Sequence, residues 1–343
     1  MNRGQGDWAG WSAADRAAAG PPHRTGAPAP RAVGPVAAPS GTPYHQQARN
    51  GLQRWWREVL GTLVAVVAAF VGFLSLYVAA DAFADLFGGR AVRPRNDEIF
   101  EAPLAEQALG LVSLAVLIPA VMIAARRVEL RPAGTLSSVT GRLRWRWLAI
   151  CTGIAVPVML VQNGLLILWV TVTDGTDGGG GDGGGTGSVG FPGLGTFLVS
   201  VAVLWALIPF QAAAEEYAFR GWFQQIFGAH WNTPWPGIVI SSLLFALAHG
   251  FGELSGFFLL FYSAAWWAWL TIRTGGLEAT IAPHVVNNAL AFTLLAGTGE
   301  LGDTSTAADA AWQAFALELL FAPLYALLVL RLARRRGIAT RTP

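Results

Sequence analysis

Two adjacent carboxylates, Glu215 and Glu216, stand just before Arg220 at the end of an apolar run long enough to cross a bilayer. A carboxylate at the centre of a membrane helix costs roughly 3 kcal/mol on insertion scales, so ionisable groups placed there point to a functional site. Two later apolar segments carry Phe245 with His249 and His284 with Asn288. Of the five histidines, at positions 23, 45, 230, 249 and 284, only the last two lie in strongly apolar surroundings. A carboxylate, two imidazoles and a carboxamide are the groups needed to hydrolyse a peptide bond without a covalent intermediate. The carboxylate takes a proton from water, and an imidazole positions that water or protonates the leaving amine. A second imidazole and an amide N–H can face the developing oxyanion, where losing one donor typically lowers the rate about 100- to 1000-fold. The same groups admit a metal alternative, in which Glu215, His249 and His284 hold a zinc ion with one open position. No His-Glu-x-x-His helix accompanies them. Ser241 and Ser242 precede His249 in its segment, but hydroxyl residues at membrane helix contacts are common packing elements, and no nucleophile elbow is present.

Helical geometry must gather these groups. Residues four apart share a helix face, which pairs Glu216 with Arg220 as a helix-stabilising ion pair, Phe245 with His249, and His284 with Asn288. Glu215 is rotated about 100° from Glu216 and is free to face a polar cavity. Asn287, three residues from His284, is the less favoured partner. The chain is 53% hydrophobic and 13% charged, with a mean hydropathy of +0.45. That composition, far from the roughly 25% charge of soluble domains, makes it an integral membrane protein. Every basic residue is arginine and the net charge is +2, which leaves no nucleic-acid footprint. The single cysteine, Cys151, excludes an internal disulfide and a thiolate metal cage, and is expected to be a small embedded side chain.

A helix needs about 20 apolar residues to span the bilayer core. Segments near 59–80, 104–125, 147–170, 196–219, 236–250, 254–272, 277–296 and 311–332 meet or approach that length. The fold expected is all-α, a polytopic bundle of about eight transmembrane helices over 53–337, preceded by a disordered cytoplasmic arm over 1–52. The fifth segment is the shortest and is expected to tilt or to span incompletely. No apolar core follows a charged start, so the first span reads as an uncleaved anchor. Arginines cluster before the first span, in the second and sixth connections and after the last span, while the third and seventh connections carry acidic residues. The rule that arginine marks the cytoplasmic side then puts both termini in the cytoplasm, with the plasma membrane as the site. Asp174, Asp177 and Asp182, around the glycine tract 178–185, lack the order of a calcium loop and read as a flexible external linker. His230 is expected to be an exposed interfacial residue.

The order Glu215-Glu216-x-x-x-Arg220, Phe245-x-x-x-His249, His284-x-x-x-Asn288 on successive membrane segments resembles the CPBP family. These are membrane-embedded endopeptidases that include type II CAAX prenyl proteases and bacteriocin-processing or self-immunity proteins. The resemblance covers about 196–296, the expected catalytic core. It implies that Glu215 and His249 activate water, that His284 and Asn288 stabilise the oxyanion, and that Glu216, Arg220 and Phe245 support them. It implies a helical bundle around a cavity open to the cytoplasmic side, no required cofactor, and a protein or peptide substrate met at the lipid bilayer, prenylated or not. A non-catalytic scaffold or self-immunity protein is the alternative, and a proton or cation transporter a more distant one.

Overall fold

The computed structural model describes residues 34–86, 100, 102–174, 190–303 and 305–343. The expected flexible linker at 178–185, the first connection from 87 to 99 and the first 33 residues of the arm lie outside them. Ten α-helices make up the described chain. They are α1 Trp55–Leu86, α2 Pro103–Ala115, α3 Leu117–Arg127, α4 Trp145–Asp174, α5 Leu194–Glu216, α6 Gln224–His230, α7 Trp235–Ala248, α8 Leu254–Thr274, α9 Glu278–Thr298 and α10 Trp312–Arg335. Seven stretches among the described residues are long and apolar enough to cross a membrane, with α2–α3 counted as one and Leu194–His230 as another. The eighth expected span is the 14-residue α7, which at helical rise reaches only about 21 Å.

Proline shapes several of these helices. The break at Val116 between α2 and α3 falls three residues before Pro119, whose missing N–H leaves the Ala115 carbonyl without its helical donor. Pro283 in α9 and Pro323 in α10 stay inside continuous helices. Each frees the carbonyl four residues earlier, and a tyrosine hydroxyl from another helix donates to it. Tyr325 Oη lies 2.9 Å from Ala279 O and Tyr262 Oη lies 3.3 Å from Leu319 O. In a medium without water such freed groups must find partners inside the protein.

The bundle is built around α9, which packs against α4 and α5 and also touches α8. Further pairs are α8 on α7 and α10, α4 on α10, α2 on α5 and α1 on α3. The α4–α8–α9–α10 core is rich in small residues, among them Ala155, Ala279, Ala282, Ala326 and Ala333. Small side chains let membrane helices approach closely. Cys151 belongs to this core, fully buried. The outward face of α1 is the reverse, with Val66, Phe70, Leu74 and Val78 exposed as suits a surface bathed in lipid.

One end of the bundle is closed by the arginine-bearing segments. Gly275, at φ +70° after α8, takes the left-handed conformation that glycine adopts freely. The turn it opens pairs with the α3–α4 connection through Val139 N to Gly275 O at 2.9 Å and Leu277 N to Ser137 O at 2.9 Å. Arg144 grips Glu278, the first residue of α9, with Nε 2.9 Å from Oε1 and Nη2 2.6 Å from Oε2. The arm itself is part of this end from Gly34 onward, which corrects the expectation of a disordered segment to residue 52. Tyr44 donates its hydroxyl to Leu136 O, Asn50 reaches Glu129 O at 3.0 Å, and Gly41 N meets Thr342 O at 3.0 Å. Gly228 is required where the His45 carbonyl crosses α6, since a Cβ there would lie 1.7 Å from it. The arm read as coil in sequence because its order comes from contacts with distant segments and not from its own period. Buried away from water, and beside Arg49 and Arg341, the His45 imidazole has its pKa pushed down to about 4.

Candidate active site

Glu215 and Glu216 close α5, and a π-helical turn over Tyr217–Phe223 follows without a break before α6. π-turns inside α-helices occur frequently at functional sites. The continuation to His230 changes the depth of the glutamates. A fourth span ending near 219 would leave Glu215 close to one membrane face. Instead it lies 15 residues back from His230, about 22 Å along the helix. His249 caps α7, 14 residues past Trp235, which is about 21 Å at the same rise. Glu215 and His249 therefore lie at similar depths along adjoining helices. His230 is 39% exposed and lies 3.3 Å from Glu58 at the base of α1.

His284 joins the two glutamates. Its Nδ1 is 2.9 Å from Glu216 Oε1, and its Nε2 is 3.5 Å from Glu215 Oε2. Glu216 also accepts from Arg220 Nη1 at 2.9 Å, both side chains being fully buried. Its role is thus wider than the helix-stabilising pair that four-residue spacing suggests, because it also fixes one edge of the imidazole. The Arg220 guanidinium lies over the Phe245 ring at 4.2 Å and the Trp267 ring at 5.4 Å. Trp267 flanks the His284 ring at 5.2 Å, and Phe245 meets it edge-on at 6.1 Å. A cation over aromatic faces is stabilised without water, so this layer holds Arg220 where lipid would otherwise exclude it.

Gln211, one turn before Glu215, ties the remaining groups together. Its amide donates to Glu215 Oε1, and its carbonyl accepts from Asn288 Nδ2 at 3.0 Å. Glu215 Oε2 has no hydrogen-bond partner. His249 Nδ1 is 2.9 Å from the Phe245 carbonyl. Only a protonated Nδ1 can make that bond, which leaves the Nε2 lone pair of the neutral ring free. The rings of Phe245 and His249 lie 4.7 Å apart.

These groups line a cavity of about 150 Å³ that contains Gln211, Glu215, Phe245, His249, His284, Asn287 and Asn288 in its wall. From there the cavity extends along α4, α8 and α10 to Ala307 and Ala314, at the end of the bundle opposite the termini. Among the described residues none of the arginine-bearing segments lines it. An opening at the arginine-rich end was the expectation, and the structure corrects it, because the arm, the α3–α4 connection and the C-terminal tail fill that end. Among the described residues no three His, Cys, Asp or Glu side chains are grouped to hold one metal ion. His284 already directs both nitrogens at carboxylates, so the set Glu215, His249 and His284 does not fit a zinc centre.

Gln211 and Trp267 were absent from the sequence reading. Gln211 was detectable, as a polar residue one helical turn from Glu215 in an apolar span. Nothing marks Trp267 among the 15 tryptophans of the chain.

Residues 196–290 match the family described as Type II CAAX prenyl endopeptidase Rce1-like. All seven motif residues fall inside the matched stretch. The uncharacterized protein YyaK of Bacillus subtilis (strain 168) is 25% identical over 246 residues, 70% of this chain and 77% of that protein. No solved structure matches.

Proposed function

We propose that this protein is an intramembrane endopeptidase that hydrolyses a peptide bond with water activated by Glu215 and His249. The observation that carries the reading is the Glu215 carboxylate in the wall of a cavity within a membrane bundle, its Oε2 facing His284 Nε2 at 3.5 Å and engaged in no hydrogen bond among the described residues. Gln211 occupies the other oxygen of that carboxylate, which leaves Oε2 as the acceptor for a water proton. The free Nε2 of His249 accepts a second hydrogen bond from the same water and orients its remaining lone pair. Proton transfer to Glu215 and attack on the scissile carbonyl give a tetrahedral oxyanion. Asn288, released from Gln211, and His284 donate to it, and the proton held by Glu215 passes to the leaving amine. Glu216 keeps His284 in place, and Arg220 balances the charge of Glu216 behind the site. Water exclusion strengthens each of these interactions.

The substrate is a protein or peptide segment embedded in or anchored to the bilayer. By the arginine rule the termini are cytoplasmic, so the cavity extends toward the other face of the membrane, and the substrate approaches from there. The deciding experiment compares cleavage of membrane-reconstituted peptides by wild type, Glu215→Gln and His249→Ala, with and without a chelator. The expected result is loss of cleavage by at least about 100-fold in both variants at normal folded abundance, with no effect of the chelator. Undiminished cleavage by Glu215→Gln rejects the proposal, and chelator-sensitive cleavage replaces it with a metal mechanism. If wild type cuts nothing while both variants still support the biological role, the scaffold or self-immunity reading takes its place.

A further inference from the structure

Glu318 is a second carboxylate in the same cavity, outside every motif and outside residues 196–290. It is 7% exposed, two turns into α10. Its Oε1 accepts from Ser263 Oγ on α8 at 2.5 Å, and its Oε2 from Gln162 Nε2 on α4 at 2.7 Å. Ser263 lies one turn from Trp267, which flanks His284, so this cluster adjoins the catalytic groups.

The hydrogen-bond inventory is unbalanced. A carboxylate offers about four acceptor sites, and two neutral donors fill two of them. Gln162 Oε1 is a further acceptor, buried and without a hydrogen-bond partner among the described residues. Among the described residues no arginine or histidine lies within ion-pair distance of Glu318. Among the described residues no arginine lines the cavity, while two glutamates and two histidines do, and neither histidine lies within ion-pair distance of Glu318. A buried carboxylate without a cation is expensive, and one facing a cavity can receive that cation from a ligand.

The geometry points to Glu318, with Gln162 and Ser263, as a specificity subsite that receives a basic side chain of the substrate, arginine or lysine, close to the scissile bond. The ammonium or guanidinium supplies the missing donors to Glu318 and to Gln162 Oε1. The proposal rests on the endopeptidase reading above, because it uses the same cavity. It adds a substrate class, a membrane-associated segment with a basic residue beside the cut.

The test uses the full chain in proteoliposomes with anchored peptides that carry arginine, lysine, glutamine or norleucine at each position flanking the cut. Wild type is expected to favour arginine or lysine over norleucine at one position by about 10- to 100-fold, the range of a charged hydrogen bond. Glu318→Gln keeps the size of the side chain and one acceptor oxygen, the other bond reversing by rotation of the Ser263 hydroxyl or a flip of the Gln162 amide, and is expected to collapse that ratio toward one. Glu318→Ala serves as the second variant. In parallel, binding of the fluorescent arginine and norleucine peptides to Glu215→Gln protein reads the subsite without turnover. A carboxylate that only ties α4, α8 and α10 together would alter stability and leave the arginine-to-norleucine ratio as in wild type, and that result overturns the proposal. If wild type cleaves nothing but arginine peptides bind in a Glu318-dependent way, the endopeptidase reading falls and the subsite stands. Cleavage without basic preference sinks the subsite alone.

Discussion

The hydrogen bond from Tyr325 to the Ala279 carbonyl exists because Pro283 cannot make it, and this dependence can be measured without knowing any substrate. Tyr325→Phe removes the hydroxyl and leaves a buried carbonyl with no donor, since the group lies 2.9 Å from Ala279 O and both residues are buried. An unsatisfied buried acceptor costs about 1–3 kcal/mol. Pro283→Ala restores a backbone N–H at the one position that can reach Ala279 O along the helix. Tyr325→Phe in the Pro283→Ala background should then cost under about 1 kcal/mol, so the cycle gives a coupling energy of roughly 1–2 kcal/mol. The assay is reversible unfolding in mixed micelles, with the four proteins compared at one denaturant slope. Equal costs of Tyr325→Phe in the two backgrounds would refute the argument, because the tyrosine would then act through its ring packing alone. His284 follows Pro283 directly in the chain, so Tyr325→Phe is also expected to lower any cleavage more than it lowers folded abundance.

Breaking the buried Glu216–Arg220 pair with Arg220→Met strands a carboxylate and should cost about 3–5 kcal/mol, while Glu216→Gln with Arg220→Met recovers part of that loss; equilibrium unfolding of the three variants checks it. Acidification should loosen the arm. The unfolded imidazole of His45 takes up its proton near pH 6.5 and the folded one only near 4, so stability is flat above about pH 7 and falls between those values, by up to about 3 kcal/mol. Hydrogen exchange across 41–50 reads this, and the pH dependence should vanish in His45→Gln. For the cavity end, Cys151→Ala leaves a background free of cysteine, and Ala307→Cys and Thr340→Cys, both exposed, should react with an impermeant maleimide from opposite sides of sealed vesicles. Labelling of both from one side would refute the placement of the cavity end.

Some of this protein follows from residue type and spacing alone. Continuous apolar runs cannot remain in water, and inside a bilayer they must be helical, so the all-α bundle was legible before any coordinates. Four-residue spacing put Glu216 on the face of Arg220 and His284 on the face of Asn288, for the plain reason that a helix repeats every 3.6 residues. Depth, direction and closure were not legible. That α5 continues through a π-turn to His230, that His249 meets the glutamates at the end of a helix too short to look like a span, and that the arm seals the arginine end all depend on partners far away in the chain. Gln211 and Glu318 stand out as polar residues in apolar helices, but which groups they face does not, and Trp267 is an ordinary residue until packing decides its neighbours, because sequence spacing carries information about one helix at a time.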